Sequence, residues 1–315
     1  MKRVVCFFVV LMLVTGGLFA KGQGDFPARN IEVFVGYGAG GSTDLAARAL
    51  AEVANADLPK GVNLIVSNIA GDAGIIAFNR FMQAKPDGYT LISANIDMVL
   101  NYWLGRTQYG MDDWIPVGQS IWDSFVLLTG NSPNYKDFKE FIEYARANPG
   151  QVTMGHAGMG GSTHSFARAI EKQFGITFKY IPYGSSADCA VAIVSGDIEA
   201  TVSQVAPAVS HVNAGTIRIL VTLARQRSSF WPNVPIAKEI FPDFDPQFIA
   251  WVFFSVPKGT PPETVKYLRD LFDKARAKPE YAKLVGNLGQ EVGPLNSATY
   301  AAFVKEQYDL YEQFK

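Results

Sequence analysis

One glycine-rich segment occurs twice in this chain and constrains its fold more than any other feature. Residues 38–50 have the sequence GAGGSTDLAARAL and residues 158–170 have GMGGSTHSFARAI, so eight of the thirteen aligned positions are identical. Each copy follows a β-branched or apolar run, at residues 31–35 and 151–154, and begins a stretch with apolar residues at helical spacing. Each copy therefore predicts a strand, a glycine loop and a helix N-terminus.

A helix N-terminus of this kind can bind an anion. About four backbone N–H groups there lack partners within the helix, and the helix dipole adds roughly half a positive charge. Ser42, Thr43, Ser162 and Thr163 add hydroxyls that can donate to a carboxylate or cap their own helices. The alternative is that both copies are ordinary turns between a strand and a helix. If the two termini face each other across a cleft, they form a receptor for a small acid.

The alternation of strands and helices predicts an α/β fold with two lobes. Strands at residues 31–35, 62–66 and 90–94, joined by helices, indicate a parallel sheet whose ligands lie beyond the carboxyl ends of its strands. The apolar strand at residues 248–256 is expected to return to this first lobe. Lobe I is thus predicted to comprise residues 27–123 and 225–315, and lobe II, residues 124–224, is inserted, so that two connections form a hinge.

The N-terminal twenty residues have the organisation of a signal peptide. Lys2 and Arg3 precede an almost wholly apolar run at residues 4–14, and small residues follow. A membrane anchor is the competing interpretation, but the run is shorter than the ~20 residues of a spanning helix. The protein is therefore expected to be exported to the periplasm. Cys189 would be the single cysteine of the mature chain, which predicts no internal disulfide.

Other functions have weaker support. The net charge of −1 gives no electrostatic footprint for nucleic acid. Residues 36–41 match the spacing Gly-x-Gly-x-x-Gly, but Ser67 and Asn68 stand where a dinucleotide fold needs an acidic residue. Three histidines without closely spaced partners do not predict a metal site. An exported hydrolase that uses His164 as its base is retained as the alternative function.

The motifs resemble the extracytoplasmic solute receptors of tripartite tricarboxylate transporters, the Bug receptors. The resemblance extends from about Asn30 to the C-terminus and is carried by residues 35–48, 68–74, 86–91, 158–164 and 181–184. It implies a type II periplasmic-binding-protein fold, the Venus flytrap, with a discontinuous first lobe. It also implies a monomeric receptor, not an enzyme, that needs no cofactor and no metal. Such a receptor captures a carboxylated metabolite and delivers it to membrane permease subunits.

By the same resemblance, the loops at residues 38–43 and 68–74 hold a ligand carboxylate, and the loops of lobe II close over its distal end. Aromatic residues beside glycine or serine loops, Tyr37 and Tyr183, are further candidates. The candidate ligand-binding residues are Tyr37, Gly38, Gly41, Ser42, Thr43, Asn68, Asp72, Ala73, Asn95, Gly160, Ser162, Thr163, His164, Tyr183, Ser185 and Gln204.

Asp72 departs from the family pattern, in which alanine is usual at this position. A carboxylate within ~5 Å of an anionic ligand would repel it in a partly desolvated cleft. Either Asp72 points away from the ligand, or the ligand also carries a cationic group, as an amino acid does. The sequence leaves both alternatives open.

Overall fold

The computed structural model describes residues 26–296 and 298–312. The predicted signal peptide lies outside these residues. The strands are β1 (Ile31–Val35), β2 (Leu64–Asn68), β3 (Thr90–Asn95), β4 (Trp114–Ser124), β5 (Val126–Gly130), β6 (Thr153–His156), β7 (Lys179–Pro182), β8 (Ala200–Ser203), β9 (Ile217–Thr222), β10 (Ile249–Pro257) and β11 (Glu291–Val292).

The helices alternate with these strands in the N-terminal and middle parts of the chain and follow β10 in the C-terminal part. They are α1 (Ser42–Asn55), α2 (Ile75–Met82), α3 (Ile96–Trp103), α4 (Phe138–Ala147), α5 (Ser162–Phe174), α6 (Ser186–Ser195), α7 (Val209–Asn213), α8 (Ala237–Ile240), α9 (Pro262–Arg276), α10 (Pro279–Asn287) and α11 (Tyr300–Tyr311).

The strands form two separate sheets. The first has the order β11-β4-β10-β3-β1-β2, and the second has the order β7-β6-β8-β5-β9. In the first sheet, β2, β1 and β3 are parallel, as the alternating pattern predicts, whereas β10 runs antiparallel to both β3 and β4. The second sheet is mixed in the same way, with β7, β6 and β8 parallel and β5 antiparallel to β8 and β9.

Both glycine loops therefore begin at the carboxyl end of a parallel strand. The loop before α1 follows β1, and the loop before α5 follows β6. Because β1 and β6 lie inside their sheets, with parallel neighbours on both sides, the loops are placed in the crevice where ligands of α/β sheets bind. Position in the sheet, and not the glycine sequence alone, makes these two termini candidates for a shared site.

Two chain segments connect the sheets. Strand β4 of the first sheet continues through Phe125 into β5 of the second, and the chain returns from β9 to β10 through Leu223 and Phe248. The backbone N–H of Phe125 donates to Phe248 O at 3.0 Å, that of Leu223 to Phe125 O at 2.8 Å and that of Phe248 to Leu223 O at 3.0 Å. Since so few residues join the sheets, this closed set of bonds is the natural axis for relative motion of the lobes.

Helices cover both faces of each sheet. In lobe I, buried residues of α1, α9 and α10 pack with Val33, Val35 and Phe254, and those of α2, α3 and α11 pack with Phe34 and Ile92. In lobe II, α4 and α5 cover one face, and α6 packs on the other through residues such as Cys189 and Ile193. Such apolar burial on two faces supplies the main stabilisation of an α/β layer.

Candidate functional site

The N-terminus of α1 is held open by its glycines. Gly40 has φ +79°, a left-handed conformation that favours glycine, and Gly41 is the N-cap and has no side chain with which to satisfy the helix amides. Asp44, in the first turn, accepts a hydrogen bond from Gly40 N at 2.9 Å and pairs with Arg48 Nε at 3.0 Å. The loop is therefore fixed by the helix that follows it.

The N-terminus of α5 has the same construction. Gly160 has φ +77°, and Gly161 is the N-cap. His164, aligned with Asp44, accepts a hydrogen bond from Gly160 N through Nδ1 at 3.2 Å. Partial burial, with His156 and two nearby arginines adding to it, lowers the pKa of His164 to about 4. The imidazole is neutral at neutral pH, and its Nδ1 is free to accept.

The two termini border one small polar cavity between the sheets. The cavity volume is about 30 Å³, which is enough for one or two water molecules. An organic acid therefore fits only when the lobes move apart. The lining residues are Tyr37, Gly41, Ser42, Thr43, Asn95, Ile96, Asp97, Ile121, Ala157, Ser162, Thr163, Ser186, Gln204, Ala250, Trp251 and Val252.

Each terminus donates its first amide to the opposite lobe. Ser42 N donates to the hydroxyl Oγ of Ser186 at 3.4 Å, a long and weak bond. Ser162 N donates to the carboxylate Oδ1 of Asp97 at 2.7 Å, a short bond to a charged acceptor. The anion position at α5 thus already holds a carboxylate of the protein, whereas the position at α1 faces a neutral hydroxyl.

Hydroxyl groups at the α1 terminus are oriented by neighbouring amides. Asn95 Nδ2 donates to Thr43 Oγ1 at 3.1 Å, and Gln290 Nε2 donates to Ser42 Oγ at 2.9 Å. Because each hydroxyl accepts from an amide, its own proton remains able to donate to another acceptor. Two hydroxyl donors and the uncapped helix amides make the α1 terminus a suitable place for a carboxylate.

Asp97 and Tyr37 form a buried polar pair beneath the cavity. The Tyr37 hydroxyl donates to Asp97 Oδ2, and Tyr37 also contacts Ala73 O at 3.3 Å. Burial raises the pKa of Asp97 above its usual range. Burial, together with the Asp97 charge, raises the pKa of Tyr37 well above that of a free phenol, so Tyr37 remains a donor.

Arg106 forms hydrogen bonds with both lobes at the edge of the cleft. This residue follows α3 in lobe I and donates to Met159 O in lobe II at 2.5 Å and to Asn101 Oδ1 at 2.8 Å. It also forms an ion pair with Asp72, whose side chain is 52% exposed. Asp72 therefore has a cationic partner within the protein, at the rim of the cleft.

Half of the candidate ligand-binding residues line the cavity and half do not. Those that line it are Tyr37, Gly41, Ser42, Thr43, Asn95, Ser162, Thr163 and Gln204. Those that lie outside its lining are Gly38, Asn68, Asp72, Ala73, Gly160, His164, Tyr183 and Ser185.

The residues outside the lining have other contacts. Gly38 N donates to Gly184 O at 3.2 Å across the lobes, and Asn68 is engaged by Asp44, Arg48 and Tyr37 O. The ring of His164 packs between His156 and Tyr180, with centroids 4.9 and 4.8 Å away. In these positions they support the loops rather than border the cavity.

Three further residues of the cavity carry hydrogen-bonding or aromatic groups and are not among the candidate ligand-binding residues. Asp97 follows the carboxyl end of β3, which is a signal for a site, but only the fold shows that its carboxylate reaches α5. Ser186 is the first residue of α6 and faces α1. Trp251 comes from β10, which is distant in sequence, and its side chain is fully buried.

Neither a metal centre nor a membrane span is found in the described part of the chain. Within residues 26–296 and 298–312, no group of histidine, cysteine or acidic side chains is arranged to hold a metal ion. None of the helices in those ranges is both long enough and apolar enough to cross a bilayer.

Comparison with known proteins identifies the family. Residues 46–313 match the model of the tripartite tricarboxylate transporter family receptor. The chain belongs to this receptor family. The receptor is 33% identical, over 91% of its length and 87% of the relative's, to the UPF0065 protein in the gbd 5' region of Cupriavidus necator. It is 29% identical to BugT of Bordetella pertussis over 84% of its own length and 82% of that protein.

The fold of the receptor agrees with solved structures. It superposes on MatC of Rhodopseudomonas palustris, determined with bound malate, with a TM-score of 0.85 and 26% identity, covering 92% of this chain and 99% of MatC. The two-lobed fold of a periplasmic binding protein, predicted from the resemblance, is confirmed. The protein is a solute-binding receptor and not an enzyme, so the hydrolase alternative based on His164 is set aside.

Proposed function

We propose that this receptor captures a small carboxylated solute between its lobes and delivers it to the membrane subunits of a tripartite transporter. The observation that carries the proposal is the convergence on one cavity of two helix N-termini with glycine N-caps, of which the α1 terminus faces a neutral hydroxyl and not a carboxylate. Family membership and the malate bound to MatC support the same ligand class. The receptor acts as a monomer in an extracytoplasmic compartment, where its N-terminal segment directs it.

The ligand carboxylate binds at α1. There it receives hydrogen bonds from helix amides and from the hydroxyls of Ser42 and Thr43, which replace its water shell with fixed dipoles. Lobe II then closes over the ligand through Ser186 and the α5 terminus. The hydrogen bond from Ser42 N to Ser186 Oγ is long and weak. A ligand that breaks this bond when it enters therefore loses little free energy.

Closure is a shift between open and closed populations. In the closed arrangement, Arg106 bonds to Met159 O and Asp97 to Ser162 N across the cleft. A ligand that touches both lobes adds contacts to this arrangement alone and therefore raises its population. The motion turns about the backbone bonds that join Phe125, Leu223 and Phe248. The closed surface is what the membrane subunits recognise.

The experiment is a thermal-shift screen of small organic and amino acids with the purified receptor, followed by calorimetric titration of the acids that stabilise it. A ligand at 100 times its dissociation constant is expected to stabilise the fold by ~2.7 kcal/mol. Thr43→Val removes one hydroxyl at α1 and should weaken binding about tenfold, while Thr216→Val, at an exposed position beside β9, should not. If no acid in the screen stabilises the receptor, the proposed function is wrong.

A further inference from the structure

Asp97 is a buried carboxylate that lacks a direct cationic partner. It is 4% exposed, and its two oxygens accept from the Tyr37 hydroxyl and from Ser162 N. These donors, and the Ser162 hydroxyl that also stabilises the carboxylate, are neutral. Among the described residues, no salt bridge includes Asp97. Arg106, whose charge acts on Asp97 from a distance, is engaged by Asp72, Asn101 and Met159 O.

Such a carboxylate is unfavourable in a protein interior. Removing a charge from water costs free energy that hydrogen bonds from neutral groups recover only in part. The raised pKa of Asp97, caused by burial, reflects this cost. A cation placed against Asp97 would lower this free-energy cost. Within the closed cleft, the space next to Asp97 is the cavity itself, so the cation that can reach it is a part of the ligand.

Asp97 also changes what the second glycine loop can bind. Its Oδ1 occupies the first amide of α5, and a Cβ added to Gly161 would lie 2.8 Å from Asp97 Oδ2, so the carboxylate is seated closely on this terminus. A second ligand carboxylate would have to displace Asp97 and then remain beside it. Two carboxylates in one desolvated site repel each other strongly.

We infer that Asp97 determines the specificity of the receptor and that the solute is a small amino acid. The ligand carboxylate lies at the N-terminus of α1, and the ligand ammonium group lies against Asp97. This inference rests on the proposed function, because it assumes that the cavity is the solute site. It assigns opposite charges to the two ends of the cavity, one a helix terminus and the other a side chain.

Asp72 does not serve this role. Its carboxylate is paired with Arg106, its side chain is 52% exposed, and it does not line the cavity. The two acids therefore differ in the property that matters: Asp72 has its counter-ion in the protein, and Asp97 does not. Asp72→Asn is consequently the matched control for Asp97→Asn.

The experiment compares pairs of acids that differ only in the amine. L-alanine is paired with L-lactate, and L-aspartate with L-malate, each titrated calorimetrically into the receptor. In at least one pair, we expect the amino acid to bind at least tenfold more tightly than the hydroxy acid. In Asp97→Asn that preference should fall by tenfold or more, because the amide offers the ammonium no charge. Asp72→Asn should leave the preference within twofold.

The preference is a ratio of two dissociation constants measured on one variant, so a misfolded fraction does not alter it. Equal affinity within both pairs, or an unchanged preference in Asp97→Asn, overturns the inference and leaves the carboxylate receptor intact. Binding by the wild-type receptor of amine-free acids alone does the same. Failure to bind any of these four acids or any acid of the wider screen overturns the proposed function itself.

Discussion

The two glycine loops are nearly identical in sequence and backbone but differ in what faces them. Both have a left-handed glycine, at φ +79° and +77°, both have a glycine N-cap, and both donate the amide of that left-handed glycine to the side chain four residues later. The loop before α1 faces Ser186 of lobe II at 3.4 Å. The loop before α5 faces the Asp97 carboxylate of lobe I at 2.7 Å.

This difference shows that a repeated motif need not have a repeated function. One terminus remains available for an external anion, and the other is neutralised by an anion of the protein. The loop before α5 donates to a carboxylate of the other lobe, whereas the loop before α1 donates to a neutral hydroxyl of the other lobe. Each prediction below alters one of these loops, its helix or the group that faces it and, where the chain allows, uses the other loop as its control.

Ser186→Asp should have the largest effect, because it places at α1 a carboxylate like the one at α5. Two charges ~5 Å apart at an effective dielectric constant of ~20 repel by about 3 kcal/mol, which corresponds to roughly 100-fold in affinity for an acid. The variant should fold, since an acidic residue near a helix N-terminus is favourable. Calorimetric titration measures the loss, and Ser186→Asn, which lacks the charge, should retain most of the affinity. Equal losses in both variants would show that size, not charge, matters there.

Gly161→Ala should disturb the lobe contact more than Gly41→Ala. The new Cβ at position 161 would lie 2.8 Å from Asp97 Oδ2 and 3.1 Å from Ala73 Cβ, whereas at position 41 the closest atoms are 3.3 and 3.4 Å away. Overpacking of this kind costs about 1–3 kcal/mol, which separation of the lobes relieves. Small-angle X-ray scattering should show a larger radius of gyration for Gly161→Ala alone. Identical profiles for the two variants would contradict the tight seating of Asp97.

Arg48→Gln should destabilise the receptor more than Arg168→Gln, although the two arginines are aligned. Arg48, whose side chain is 48% exposed, donates to both carboxylate oxygens of Asp44, which is 2% exposed, and to Asn68 Oδ1. Arg168, 64% exposed, pairs with Glu171, which is 10% exposed. We expect a loss of about 1–2 kcal/mol for the first and at most ~0.5 kcal/mol for the second. Urea denaturation measures both. A larger loss for Arg168→Gln would refute the view that the α1 loop depends more on its helix.

His164→Asn should lower stability at neutral pH only through the lost ring contacts with His156 and Tyr180, and it should reduce the acid sensitivity of the fold. The folded pKa of His164 is about 4, below its unfolded value of ~6.5, so the unfolded chain binds more protons between these pH values. Stability therefore falls as pH decreases from ~6.5 towards 4. Asparagine keeps an acceptor for Gly160 N and does not titrate there. The difference in melting temperature between pH 7 and pH 5 should be smaller for the variant than for the wild type. An unchanged difference would exclude His164 as a source of the acid sensitivity.

Much of the fold could be predicted because local sequence carries its physical cause. The β-branched run at residues 31–35 forms β1, as predicted. The helical spacing after it predicts a helix, and α1 begins at Ser42. By contrast, α3 and α10 were not predicted. Buried residues such as Val99 and Tyr281 hold these short helices against the lobe, and such contacts are not visible in a local pattern.

The site was predicted in part for the same reason. Ser42, Thr43, Ser162 and Thr163 were found because they stand at the start of helices, which sequence signals mark directly. Ser186 and Trp251 reach the cavity through packing of distant segments. His164 was expected at the cleft, and its ring packs against His156 and Tyr180, outside the lining of the cavity.

The sequence alone determined that this chain carries two helix N-termini preceded by glycine loops, because glycines, hydroxyls and helical spacing act over a few neighbouring residues. Only the tertiary structure decided which terminus is available. Asp97 and Ser162 are 65 residues apart in the chain, and Ser42 and Ser186 are 144 apart. The Asp97 carboxylate reaches one terminus and the Ser186 hydroxyl reaches the other only because the two folded sheets meet across a cleft.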